Sequence, residues 1–178
     1  MLDYLECVSL THPEPASDGD IVRLVRAILV DEAIRYDACV ALVSHGVRVS
    51  RQVCDLLTTS DTRVIHAVLE ALDANPPISD ESIASQVENH LKSKDDDVRN
   101  MAMMLYAKIT PDRESYTRFL CELASKERSM RFICMTSLSS MFPIPSSCRP
   151  DLERLLAQYA GDIEFLRTVQ IRISEIEN

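Results

Sequence analysis

The residues of this chain best equipped for chemistry are three consecutive carboxylates (Asp95, Asp96 and Asp97), six cysteines and four histidines. A metal cluster needs oxygen ligands spaced so that they close round one point, and neighbours at a helix start point apart. The same carboxylates suit the first turn of a helix, where they complement the dipole and accept from free N–H groups. The cysteines Cys7, Cys39, Cys54, Cys121, Cys134 and Cys148 form no C-x-x-C pair and fall mostly within apolar helical patterns, as free buried thiols of a reducing compartment do. His12, His45, His66 and His90 share no H-x-x-x-H spacing and have no cysteine pair nearby, so they do not read as zinc ligands. His66 is expected to pack near the core with one ring nitrogen satisfied. No G-x-S-x-G, P-loop or G-x-G-x-x-G occurs, and Gly19, Gly46 and Gly161 are too scattered to cradle a phosphate. The reading is of no catalytic site, no metal and no cofactor.

The elements that would have to position any site are helical. Three glycines, 5% aromatic residues and no tryptophan leave little with which to build strands and tight turns. Length and 46% apolar content allow one domain with a true core over residues 1–178. First helices are expected at about 20–29, 47–59, 79–94, 112–125 and 150–160, with a last helix at 162–177. Turn signals separate them at 75–80, 110–112 and 142–151. Ser79 is the expected N-cap of one helix, and Pro150 suits a first turn.

Four segments align: "IRYDACVAL" (34–42), "TRVIHAVLE" (62–70), "VRNMAMMLY" (98–106) and "MRFICMTSL" (130–138). Each has arginine second (Arg35, Arg63, Arg99, Arg131) and Ala38, His66, Ala102 or Cys134 fifth. Such spacing puts one apolar stripe on each second helix. The four arginines stand beside acids at helix starts, and a ladder of ion pairs between repeats is their expected use. This alternation resembles the HEAT-repeat family, whose second helix opens with Asp, then Val-Arg, then small residues. The resemblance covers about residues 20–177, best at 31–42 and 95–106. It implies an all-α solenoid of about five antiparallel helix pairs in a right-handed superhelix. It also implies a protein-binding scaffold whose second helices line a concave surface.

Charge sets the partner. The net charge is −9, which disfavours a phosphate backbone. Residues 60–97 carry nine acids against three bases, and residues 98–148 carry seven bases against four acids. A basic protein is the simplest partner. No run of residues approaches a membrane span, so no membrane partner is expected and the default location is cytoplasmic. On the second helices, opposite the expected core, lie Tyr36, Val40, Val64, Val68, Asn100, Met103, Met104, Phe132 and Met135. Either these pack laterally on neighbouring helices, or they floor a binding groove with an acidic edge. The expected contact residues are Tyr36, Val64, Glu70, Asp73, Asn100, Met103, Phe132 and Met135. The functional expectation is a non-catalytic binder: a stoichiometric inhibitor of a basic partner, such as the immunity protein of a nuclease-type toxin, or an adaptor. The competing class is an enzyme of HEAT-like fold, either DNA glycosylase-like or chromophore lyase-like.

Overall fold

Aspartate side chains cap the starts of four helices in this chain, and a fifth takes part in a capping box. In the computed structural model, which describes residues 2, 4–11, 16–75, 80–141, 143–159 and 163–176, Ser17 and Asp20 form a reciprocal capping box at the head of α2 (Asp18–Val30). Asp61 accepts the Arg63 N–H at 3.0 Å to open α5 (Thr62–Ala74). Asp80 accepts from Ser82 at 2.8 Å to open α6 (Glu81–His90). Asp95 Oδ1 accepts from both Asp97 and Val98 at 3.1 Å, opening α7 (Asp96–Ile109). Asp112 does the same for α8 (Arg113–Lys126) through Ser115 at 2.9 Å. The expected cap Ser79 lies outside the described residues, and the cap of α6 is Asp80.

The other helices are α1 (Tyr4–Ser9), α3 (Arg35–Val43), α4 (Ser50–Leu57), α9 (Arg131–Ser140), α10 (Arg149–Gln158, with Pro150 in its first turn) and α11 (Ile163–Ile176). The helix expected from residue 47 begins instead as a 3-10 turn at Gly46–Val49, and Gly46 takes φ 62°, a conformation open to glycine. Helix α1 has no counterpart in the sequence pattern, since six residues are too few to show a period. Among the described residues there is no strand.

The chain folds as two compact units, Met1–Leu105 and Tyr106–Asn178. In the first, α2 packs on α3 and α4 on α5, while α3 also touches α5 and α4 touches α6. In the second, α8 packs on α9 and α10 on α11, while α8 also touches α10 and α9 touches α11. The buried residues follow helical spacing, such as Leu24, Ala27 and Ile28 on α2 or Leu120, Cys121 and Ala124 on α8. Each fully buried leucine, such as Leu24, Leu42, Leu69 or Leu138, contributes about 1.5–3 kcal/mol.

The caps correct the repeat register. Asp31 accepts the Ala33 N–H two residues on, as Asp61 and Asp95 do at the same offset. Aligning these three caps sets Arg35 beside Arg99, but sets Arg63 beside Asp97 and Ile65 beside Arg99. The segment at 62–70 is therefore two residues out of place in an alignment built on arginine. Burial agrees: Val64, Val68 and Ala71 are buried as Val98, Ala102 and Leu105 are, whereas His66 is only half-buried and not in the core.

The arginines correct a second expectation. Arg35 is buried and its Nε donates to Ile28 O at 2.9 Å, in the last turn of the preceding helix. Arg131 repeats the contact on Ala124 O at 3.3 Å, and Arg99 Nη1 reaches Ser93 O at 3.3 Å. These carbonyls lie at or beyond the end of a helix ladder, where no further turn supplies an N–H. Arg35 and Arg131 thus fasten α3 to α2 and α9 to α8, while Arg99 also makes an ion pair within its own helix, to Asp96 at 2.8 Å. Arg63, at its different place, pairs in solvent with Asp61 at 3.1 Å and Glu32 at 3.6 Å.

Removal of a buried charged donor leaves its acceptor unpaired, so Arg35→Ala should cost about 1.5–3 kcal/mol in urea denaturation. Exposed Arg63→Ala should leave the urea midpoint nearly unchanged. Equal costs would restore the arginine-based alignment. Ala102 is wholly buried, and Ala102→Glu should cost roughly 2–4 kcal/mol by the same measurement.

Candidate protein-binding surface

With the register set by the caps, the fifth residue after each cap position is Tyr36, His66, Asn100 or Phe132, and the ninth is Val40, Glu70, Met104 or Thr136. All eight are half-buried or exposed, Tyr36 at 40% and Phe132 at 70%. The eighth place behaves differently. Cys39, Leu69 and Met103 there are fully buried, and Met135 is half-buried. One step along a helix rotates a side chain by roughly 100°, which separates a solvent-facing position from one packed against a neighbour.

Two of the expected contact residues are thereby removed from the surface. Val64 is 1% exposed, because the two-residue shift gives it the core place of Val98. Met103 is wholly buried at the eighth place. Val68, also read on the apolar face, is 1% exposed. Their burial favours packing over the groove floor. Tyr36, Glu70, Asp73 and Asn100 stay accessible in the first unit, and Phe132 and Met135 in the second. Val40 and Met104, already read on this face, share the accessible places, and so does His66, which aligning the segments on aspartate finds.

In the first unit one of the accessible places, that of Glu70, carries a carboxylate. Burial, then Glu70, then Asp37 raises the Tyr36 phenol above its ordinary pKa, so these groups are electrostatic neighbours across α3 and α5. His66 Nδ1 lies 3.9 Å from Glu70 Oε2. Asp95 has Thr62 and His66 of α5 among its electrostatic neighbours. The Val98 N–H is the main cause holding the Asp95 carboxyl below the ordinary range, so it stays ionised. The central member of this surface is thus a cap and not a free acid.

The charge is confined more sharply than an acidic middle segment suggests. Met1–Leu105 holds 18 Asp and Glu against 9 Lys and Arg, which is the whole net charge of −9, while Tyr106–Asn178 balances 10 against 10.

Chemistry of a nucleophile or metal finds no support at the thiols. Burial pushes Cys39, Cys121 and Cys134 up to about 12, the reverse of what activates a cysteine. Among the described residues no group of three or more His, Cys, Asp or Glu could hold a metal ion, and no helix is long and apolar enough to cross a membrane. Comparison with known protein families, curated proteins and solved structures finds no match.

Among the described cysteines, native alkylation near pH 8 should therefore modify half-buried Cys54 first and spare Cys39, Cys121 and Cys134, because too little thiolate exists so far below their pKa. Denatured without reductant, the chain should yield six modified cysteines by mass spectrometry. Rapid native labelling of Cys39 would show that its burial is not persistent.

Proposed function

We propose that the chain is a non-catalytic protein-binding module whose partner is a basic protein, docked on the acidic side of α3, α5 and the start of α7. The observation that carries this reading is the confinement of the whole net charge of −9 to residues 1–105. Such a field steers a cationic partner, and Tyr36 beside Glu70 and Asp37 offers it a half-exposed ring with carboxylates around it. Methionine adapts to irregular partners, and Met104 stands in the same row. Stoichiometric inhibition, as by the immunity protein of a nuclease-type toxin, uses a surface of this kind. An adaptor would use it in the same way.

The repeat reading belongs to the same proposal: a HEAT-like α-solenoid of about five antiparallel helix pairs. Its support is the alternation of packing within each unit, where a helix meets both its chain neighbour and the next helix but one. The recurrent cap and the recurrent arginine support it independently.

The test is association kinetics with a basic protein recovered by affinity capture. Glu70→Lys with Asp73→Lys should lower the association rate by about tenfold at low salt, with a smaller effect as the Debye length falls from ~10 Å at 0.1 M to ~3 Å at 1 M. Asp95 is left unchanged because it caps α7. Tyr36→Ala should act mainly on dissociation, since an apolar contact contributes little to steering. An association rate indifferent to salt and to both reversals would remove the acidic surface from binding.

A further inference from the structure

The histidines of the first unit differ in what meets their rings. His66 Nδ1 stands 3.9 Å from Glu70, and His90 Nε2 lies 2.8 Å from Leu57 O. His45 is half-buried, and its Nε2 is enclosed without a hydrogen-bond partner among the described residues. A neutral imidazole tolerates this, because one of its nitrogens can be a bare lone pair. An imidazolium carries N–H on both nitrogens, and a buried N–H without an acceptor is costly.

The surroundings sharpen the conflict. His45 is the N-cap of the 3-10 turn Gly46–Val49, and side chains three apart in such a turn eclipse, which brings His45 alongside Arg48. Arg48 Nη1 donates to Ala16 O at 2.5 Å and Nη2 to Asp18 Oδ1 at 2.7 Å. The guanidinium thus ties the turn to the start of α2, the positive end of that helix dipole. Leu10, one residue beyond α1, borders the His45 ring as well. The acids nearby are already engaged. Asp18 is held by Arg48, Asp20 by Ser17 Oγ at 2.7 Å, and Glu6 by Arg23 at 3.0 Å, with Asp20 3.6 Å from the same arginine. Burial and then Arg48 lower the His45 pKa, against Asp20 and the Leu10 backbone, which raise it.

We propose that His45 is an acid-sensitive latch holding α1 and the turn Gly46–Val49 at the start of α2. Neutral, the ring fits the joint. Protonated, it stands as a second cation beside Arg48 with an enclosed N–H that finds no acceptor, and the joint opens. The part that yields is α1, since a helix of six residues is marginal alone. It is kept in place by packing on α3 and by the exposed Glu6–Arg23 pair, whereas the turn runs on into α4 through buried Val49. A histidine whose folded pKa is lowered contributes its full stability above the ordinary value of about 6.5, and that contribution is lost as pH falls toward the folded value. Asp20, already below the ordinary carboxylate range, protonates only at lower pH, so the latch opens before the capping box of α2 does. The device is separate from the acidic surface of α3, α5 and α7 and does not depend on any partner.

Two measurements on the full chain test it. The His45 ring is titrated by NMR, and exchange of the amides that close α1, such as the Leu10 N–H on Glu6 O, is followed with pH after correction for intrinsic exchange. The ring should titrate below the ordinary value. Protection of α1 should fall by up to about tenfold per pH unit from about pH 6.5 down to the ring midpoint, the limit for one linked proton, while α5 keeps its protection. His45→Gln should leave α1 protection flat across the same range. Arg48→Gln should raise the ring midpoint and Asp20→Asn should lower it. A ring titrating at or above the ordinary value overturns the proposal, as does α1 protection indifferent to pH, equally lost in His45→Gln, or lost together with that of α5. Should His45→Gln not fold, the two midpoint shifts decide, and a midpoint unmoved by both substitutions overturns the latch.

Discussion

A guanidinium reaching back seven residues ties α3 to α2 and α9 to α8. Arg35 donates to Ile28 O, and Arg131 donates to Ala124 O, in the same geometry ninety-six residues apart in sequence. In both places the residue four before the arginine gives its own N–H to the carbonyl one step earlier, Asp31 to Ala27 and Glu127 to Leu123. The helix thus ends on a backbone bond, and the next free carbonyl is claimed by a side chain of the following helix. A lysine has one point charge and could not hold the planar approach that Nε makes here. Around Arg131 the device is reinforced, since the Tyr159 ring lies 3.7 Å from the guanidinium and the Tyr159 hydroxyl donates to Ser125 O at 2.6 Å. With these consecutive helices tied, the apolar stripes of second helices face their neighbours, and the fifth and ninth places are left to solvent.

The all-helical character is legible in the scarcity of glycine and aromatics, and the helix starts in their aspartates. What misleads is the choice of arginine as the anchor of alignment. Arg63 resembles Arg99 as a letter, but its distance from the cap is two instead of four, and distance from the cap decides which way a side chain points. The accessible row follows that error. Val64 enters the expected surface and His66 the expected core, each through the same displacement. Met103 is misplaced for a different reason. Its burial depends on what lies beside the eighth place, and a single helix pattern carries no information about its lateral neighbour. The role of Arg35 is equally hidden, because its partner is a backbone carbonyl that every residue possesses. The confinement of charge becomes visible only once the boundary between the two units, at Leu105 and Tyr106, is known.

The aspartate caps carry a consequence for how this protein meets acid. Asp61, Asp80 and Asp95 have pKa values below the ordinary carboxylate value, chiefly through hydrogen bonds that the ionised form accepts. A carboxyl whose folded pKa is depressed lends stability above its unfolded value, and that stability drains as pH falls through the folded one. The same ions supply part of the negative field of residues 1–105. Acidification therefore withdraws the helix starts and the field together, whereas added salt screens the field and leaves the short cap bonds in place. Fold and attraction share their carboxylates, and only one of the two can be switched off alone.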